Sequence, residues 1–455
     1  MKTLLCNGRV IDPSQMIDSR LDVLVQDGKV LSLVMPGTCP AEWADEVIDA
    51  SGMVVCPGFI DIHMHGDPIG ADGKIEPCIF PAMLKMGVTS VLAGNCGTNK
   101  AHPAVYLKQV DRDGCAVNVA MLAGHTYFRS AAGVTDKYRP ASPEEIRHMQ
   151  YLIEEALDAG CMGISFGLRY VPGTTTEEFL QVASLAAKDR RLVSAHVRDD
   201  AANVFAAVEE FARAGKMYDL PLEVSHIGSM GGFGQMEQLL QQIDTYRAAG
   251  MDISADCYPY DAFCTGIGES TYDDGWLERY HCDYSTVEMC EGKYKGQRCT
   301  KEIFEEMRRD APHALTVCYV MRAEDVDLAY SHPAVCIGSD GTLNQGQGHP
   351  RAAGAFPRFL SVYVREKKLV SLYDAVRRMT TMAAQHIGMP NKGTLRPGSD
   401  ADIVVFDPET VKERSTFAQP MLKPAGIRRV LLAGHTALKD GQIVDGTLGR
   451  ALRWK

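Results

Sequence analysis

Apolar and polar residues alternate from Thr3 to Ile11 and from Leu21 to Val34, with Asn7-Gly8 and Asp27-Gly28 between the short runs. Period-two alternation punctuated by Asn-Gly and Asp-Gly predicts β-hairpins. The pattern returns near the far end in Asp402 to Phe406, Gly426 to Leu432 and Gln442 to Val444, broken by Gly434 and Asp440-Gly441. Two β-rich ends around a middle of different character predict one small β-sandwich domain assembled from residues 1–55 and 391–455.

Over residues 56–390 the period changes. Short, mostly apolar runs recur at Phe59 to Ile62, Val88 to Leu92, Val117 to Leu122, Gly163 to Phe166, Leu192 to His196, Leu222 to His226, Ile253 to Asp256 and Val335 to Asp340. Most are followed by a loop and an amphipathic helical pattern, such as Ala202 to Ala214 or Met236 to Ala249. Runs apolar on both faces suit parallel strands buried beneath helices. Eight such units predict an α/β fold, a TIM-type (β/α)8 barrel, whose chemistry sits at the carboxyl ends of the strands.

Polar groups able to bind metal stand at several of those ends. His63 and His65 are two residues apart on one strand and therefore share a face. Cys96 follows the second run in Gly94-Asn95-Cys96-Gly97, and His125 follows the third. The fifth, sixth and eighth runs end in His196, His226 and Asp340. Singly, each has a plain structural explanation: Cys96 as apolar filler, His125 as a hydrogen-bonding neighbour. Their common register with strand ends does not.

Composition narrows the field. The chain has 455 residues, 47 basic against 58 acidic side chains, a formal charge of −11 and no dense Lys/Arg run, which argues against a nucleic-acid partner. No apolar run reaches spanning length, and Lys2, Asn7, Arg9 and Asp12 interrupt the opening residues, so a soluble cytoplasmic protein without a membrane partner is expected. Fourteen irregularly spaced cysteines then read as reduced thiols, and one at a site as a ligand or nucleophile.

Cys96, His196 and His226 offer one thiolate and two imidazoles, a set suited to Zn²⁺ with a fourth position open. His63 and His65 complete a second, weaker position, with Cys96 or Asp340 shared. The segment Cys161 to Tyr170 holds no lysine that a modification could turn into a metal bridge, which leaves Cys96 for that role. Asp340 suits the acid and base that takes a proton from water and returns it to a departing amine.

The chain resembles the amidohydrolase superfamily and, within it, the D-aminoacylase (N-acyl-D-amino-acid deacylase) family. The resemblance rests on Gly58-Phe59-Ile60-Asp61 through His65, Gly94-Asn95-Cys96-Gly97, Gly124-His125-Thr126, Gly163 to Leu168, His196-Val197-Arg198, Ser225-His226, Tyr258-Pro259-Tyr260, Ser339-Asp340-Gly341, His349-Pro350-Arg351, Gly393-Thr394-Leu395 and Ala401 to Val404. It implies zinc held tightly on Cys96, His196 and His226, with a looser position near His63 and His65. It also implies that Asp340 is the catalytic acid and base, and that Arg351, helped by the Tyr258 hydroxyl, binds the α-carboxylate of an N-acyl amino acid. A guanidinium fork is a natural bidentate partner for a carboxylate.

Two positions depart from that pattern. Relatives usually carry a lysine where this chain has Gly228, and a serine near Cys264. Arg129, Arg169 and Arg198 are the candidates to replace the lysine. The loop from Gly266 to Gln297 reads as a lid over the site or, by default, as a solvated insertion. A cyclic-amide hydrolase of the hydantoinase or dihydropyrimidinase kind, and a non-catalytic binding protein on the same barrel, remain alternatives. Acyl group, side chain and any homo-oligomer stay open.

Overall fold

The computed structural model describes residues 1–455. Eight parallel strands form its centre: Phe59–Met64, Val88–Ala93, Asn118–Gly124, Gly163–Gly167, Leu192–His196, Leu222–Val224, Ile253–Cys257 and Val335–Ile337. They pair in chain order, the last beside the seventh. The first and eighth strands meet at the carboxyl end, where the Asp340 amide donates to the His63 carbonyl at 2.8 Å and the His65 amide to the Gly341 carbonyl at 3.1 Å. One Asp61 carboxylate oxygen accepts from the Ser339 amide at 2.9 Å and the His63 amide at 3.1 Å, bracing the same seam. Almost every strand residue is buried, as expected for a barrel jacketed by helices.

The ends of the chain build two further sheets. One has four strands, in the order Lys29–Val34, Asp22–Gln26, Lys2–Cys6, Glu46–Asp49. The other has seven and mixes both ends: Ile403–Phe406 lies antiparallel to Val54–Pro57, which lies parallel to Arg9–Asp12. Leu5, Val10, Val23, Val55, Leu395, Ile403 and Leu431 form one apolar core between them. Val54–Pro57 runs through Gly58 directly into the first barrel strand, and a Cβ at Gly58 would fall 2.2 Å from the Thr89 hydroxyl oxygen. Residues 449–454 leave these sheets and run along the barrel, with Leu452 N–H donating to the Val119 carbonyl at 2.8 Å.

Two strands are shorter than their apolar runs suggest. The sixth stops at Val224 and the eighth at Ile337, because His226 (φ 36°) and Asp340 (φ 49°) lie in the left-handed region and turn the chain off the strand. The segment after the seventh strand is not a solvated loop. Phe263–Gly266 and Val287–Met289 flank Leu315–Cys318 in an antiparallel sheet, and Tyr272, Trp276 and Tyr280 are buried with Phe304. The many aromatic residues that made the segment look like an exposed cover are instead its own core, packed edge-to-face or stacked at 5.1–5.4 Å.

Candidate active site

At the carboxyl end of the barrel, side chains from five strands converge. His63 and His65 come from the first strand and the residue just beyond it. Cys96 follows the second in left-handed backbone (φ 52°), and His196 ends the fifth. Cys96 Sγ lies 3.4 Å from His63 Nε2 and 3.4 Å from His226 Nε2. Donor atoms of Cys96, His196 and His226 fall within 4.8 Å of one another, as do those of His63, His65 and Cys96, and of His63, His226 and Asp340. His63 thus approaches the thiol as closely as His226 does and stands between the two predicted positions.

The donor set fits a zinc ion. Bond lengths of about 2.3 Å to sulfur and about 2.0–2.1 Å to nitrogen around a tetrahedral centre separate the two ligand atoms by about 3.5 Å. The sulfur–nitrogen spacings match. His196 Nδ1 is buried without a hydrogen-bond partner, an orphaned donor or acceptor inside the cluster. Burial lowers the basicity of His63, His196 and His226, the last to about 3, which keeps the imidazoles in the neutral form that binds metal.

Surrounding groups fix the orientation of the rings. His63 Nδ1 meets Asp256 Oδ2 at 2.8 Å and His226 Nδ1 meets the Ser229 hydroxyl at 2.9 Å. Asp256 sits in the seventh strand beside Glu223 of the sixth, whose Oε2 lies 2.5 Å from His386 Nε2. Burial raises the Asp256 carboxyl to about 8 and that of Glu223 to about 7. The sequence carried a cue to both, a carboxylate inside an otherwise apolar run, but not to their meeting.

Asp340 faces this cluster. One carboxylate oxygen lies 2.9 Å from His65 Nε2, and the other 2.8 Å from Arg351 Nη2. Burial opposes its charge, but Arg351 and then His65 outweigh burial and hold the carboxyl well below the usual range. Arg351 is itself buried, with its guanidinium 4.4 Å from the centre of the Tyr258 ring and Nη2 3.4 Å from the Cys264 carbonyl. Its Nε and Nη1 have no partner. The Tyr258 hydroxyl points elsewhere, 3.8 Å from the Met321 sulfur.

Other sequence candidates lie outside the cluster. His125 Nε2 and Arg129 Nε each bind a Glu178 carboxylate oxygen at 2.9 Å, Arg198 pairs with Glu210 at 2.7 Å, and Arg169 with Asp199 at 3.1 Å. None of these three arginines lines the cavities at the site. A Cβ on Gly228 would lie 3.0 Å from Cys257 Sγ and 3.3 Å from Met321 Cε, so this position packs against sulfur. Cations at the mouth come instead from Lys100, four residues beyond Cys96 on the same loop, and from Lys137.

The amidohydrolase family profile matches residues 46–249 and 301–438. A D-aminoacylase of Alcaligenes xylosoxydans xylosoxydans is 32% identical, covering 99% of this chain and 97% of its own. An N-acyl-D-glutamate deacylase of the same organism is also 32% identical, covering 94% and 91%. The crystal structure of N-acyl-D-glutamate deacylase from Bordetella bronchiseptica, complexed with zinc and a phosphonate mimic of the tetrahedral intermediate, superposes with a TM-score of 0.88 at 31% identity, covering 99% of both chains.

Proposed function

The chain belongs to the amidohydrolase family, in its D-aminoacylase branch, and from that membership we propose that it hydrolyses the linear amide of an N-acyl-D-amino acid, releasing a carboxylate and the free D-amino acid. Cys96, His196 and His226 would hold the tighter zinc, and His63 and His65 would contribute to a second, weaker position. A zinc ion there supplies Lewis-acid polarisation of the acyl carbonyl and makes water nucleophilic near neutral pH.

The chain's own groups do the rest. Asp340, held ionised by Arg351 and His65, accepts a proton from the attacking water and returns it to the amine nitrogen as the carbon–nitrogen bond breaks. Arg351, with two donors free, receives the substrate carboxylate, and the Tyr258 ring beneath it fixes the plane of the fork. Asp256 keeps the His63 ring oriented. Residues 56–390 form the catalytic barrel and residues 1–55 with 391–455 its companion domain. No helix is long and apolar enough to cross a membrane, and the free state of all fourteen cysteines supports a cytoplasmic setting.

The observation that carries this reading is the position of Asp340, within 3 Å of both an imidazole of the metal cluster and a buried arginine. Arg351 also favours an open-chain carboxylate over a cyclic amide. The test is a screen of N-acyl-D- and N-acyl-L-amino acids beside hydantoins and dihydropyrimidines, with metal analysis of the same sample. Turnover confined to the cyclic substrates defeats the proposal.

A further inference from the structure

A column of polar side chains runs through the interior of the barrel, from its amino end to the metal cluster. Glu223 on the sixth strand pairs in register with Ser254 on the seventh, and Asp256 lies two residues further along that strand on the same face. His386 closes the helix Thr381–His386, and its Nε2 lies 2.5 Å from Glu223 Oε2 and 2.9 Å from the Ser254 hydroxyl. The cleft that His386 lines is also lined by Leu192, Pro221 and Asp252, which begin or just precede the fifth, sixth and seventh strands, so His386 stands at the amino end. At the other end of the column Asp256 Oδ2 meets His63 Nδ1 at 2.8 Å. Glu223, Asp256 and His63 are fully enclosed and the His386 side chain nearly so.

The barrel makes room for this column. A Cβ on Gly338 would fall 2.7 Å from Asp256 Oδ1 and 2.6 Å from His63 Cβ, so a glycine is needed where the pair passes the eighth strand. Asp256 Oδ1 is buried and has no N–H or hydroxyl donor; the Glu223 carboxyl meets Asp256 instead. Two buried carboxyls in contact hold together through a proton between them. With Glu223 as the donor, Asp256 Oδ2 stays the acceptor for His63 Nδ1–H. His63 Nε2 is then left unprotonated, 3.4 Å from Cys96 Sγ, as a metal ligand requires. His386 supplies the opposite charge: burial alone would lower its basicity, but Glu223 outweighs burial and the net shift is upward.

Resting on the zinc site proposed above, we infer that Glu223 and His386 are positioning residues for the weaker metal position: they hold Asp256 against the His63 ring from the far end of the barrel and so set how tightly His63 and His65 bind zinc. Neither residue touches the substrate or the metal.

Zinc binding is measured by equilibrium dialysis in the wild type, Glu223→Gln, Glu223→Leu and His386→Leu. Glutamine keeps a donor for Asp256 and an acceptor for His386, so both zinc affinities should stay within about threefold of the wild type, the scale of one neutral hydrogen bond. Leucine at 223 keeps the bulk and deletes both contacts. The weaker zinc should then bind roughly 10–100-fold less tightly, the range for lost support of a ligating imidazole, with the tighter zinc unchanged. His386→Leu removes only the outermost link, next to the cleft, and should weaken the same zinc by roughly tenfold; it carries the test should Glu223→Leu fail to fold. Full affinity for the weaker zinc in the leucine variants, equal loss of both zincs, or equal loss in Glu223→Gln and Glu223→Leu would overturn the inference and leave the zinc site standing. A wild-type protein that binds no second zinc would overturn the weaker position itself, and the inference with it.

Discussion

Replacing Arg351 by methionine separates carboxylate recognition from the chemistry of amide hydrolysis. The guanidinium is buried and keeps Nε and Nη1 free, so a substrate carboxylate gains charge-assisted hydrogen bonds worth about 1.5–3 kcal/mol each. Two such bonds, less what Arg351 gives up to Asp340 at 2.8 Å, leave about 3–4 kcal/mol, or two to three orders of magnitude in kcat/KM. Methionine preserves the unbranched stem against Tyr258. The variant also removes the partner of Asp340, a loss common to every substrate, so the informative quantity is a ratio. kcat/KM is measured for an N-acetyl-D-amino acid and for the N-acetyl amine lacking its carboxylate, in wild type and variant, at equal zinc content. The variant should lose at least about tenfold more on the carboxylate substrate. Equal losses on both would remove Arg351 as the clamp and leave it as a support for Asp340.

Asp340→Asn should retain the metal content of the wild type and lower kcat by about 10²–10⁴-fold; near-full activity would take the proton-transfer role away from this carboxylate. Chelation should abolish hydrolysis and added zinc restore it, whereas Cys96→Ala should hold markedly less zinc at equilibrium dialysis; unchanged zinc content in that variant would remove the thiol from the site. Gly163→Ala tests the barrel, because its Cβ would fall 1.9 Å from the Leu192 carbonyl oxygen, a backbone atom of the neighbouring strand. Overpacking of this kind costs about 1–3 kcal/mol or more, read as a lower denaturation midpoint; a shift below about 0.5 kcal/mol would mean that the two strands separate freely.

The eight barrel strands were legible because each is a short, mostly apolar run followed by a loop, and His63, Cys96 and His196 stand at or just beyond the ends of such runs. The pairing of the two chain ends was legible for a related reason: alternation at residues 3–34 and 402–444 marks strands with one face to cover, and each supplies the face that the other lacks. The site's second layer was not. Asp256, Glu223 and His386 are 33 to 163 residues apart in pairs, and their contact depends on how adjacent strands and a later helix stack, which no local pattern encodes. The hydrogen bond from the Tyr280 hydroxyl to Asp200 was hidden for the same reason, since it spans eighty residues. The aromatic residues between Gly266 and Gln297 read as part of a lid or a solvated insertion because sequence gives their number and not their partners.

The aim of the catalytic groups depends on backbone that ordinary residues avoid. Cys96, His226 and Asp340 all have positive φ, at 52°, 36° and 49°, a conformation that costs a non-glycine residue about 1–2 kcal/mol. Strict alternation along extended strands places His63 and His65 on one face, but it gives no means of bringing a thiol, an imidazole and a carboxylate from three other strands to a common point. The left-handed turns do this by ending the strand one or more residues early and swinging the side chain toward the barrel axis. The neighbouring bonds hold the turns: Asp340 N–H on the His63 carbonyl, and the Ser229 hydroxyl on both the His226 ring and its carbonyl. The strain is therefore maintained by the same contacts that orient the site, so relieving it by substitution at any of the three positions would also dismantle the geometry that hydrolysis requires.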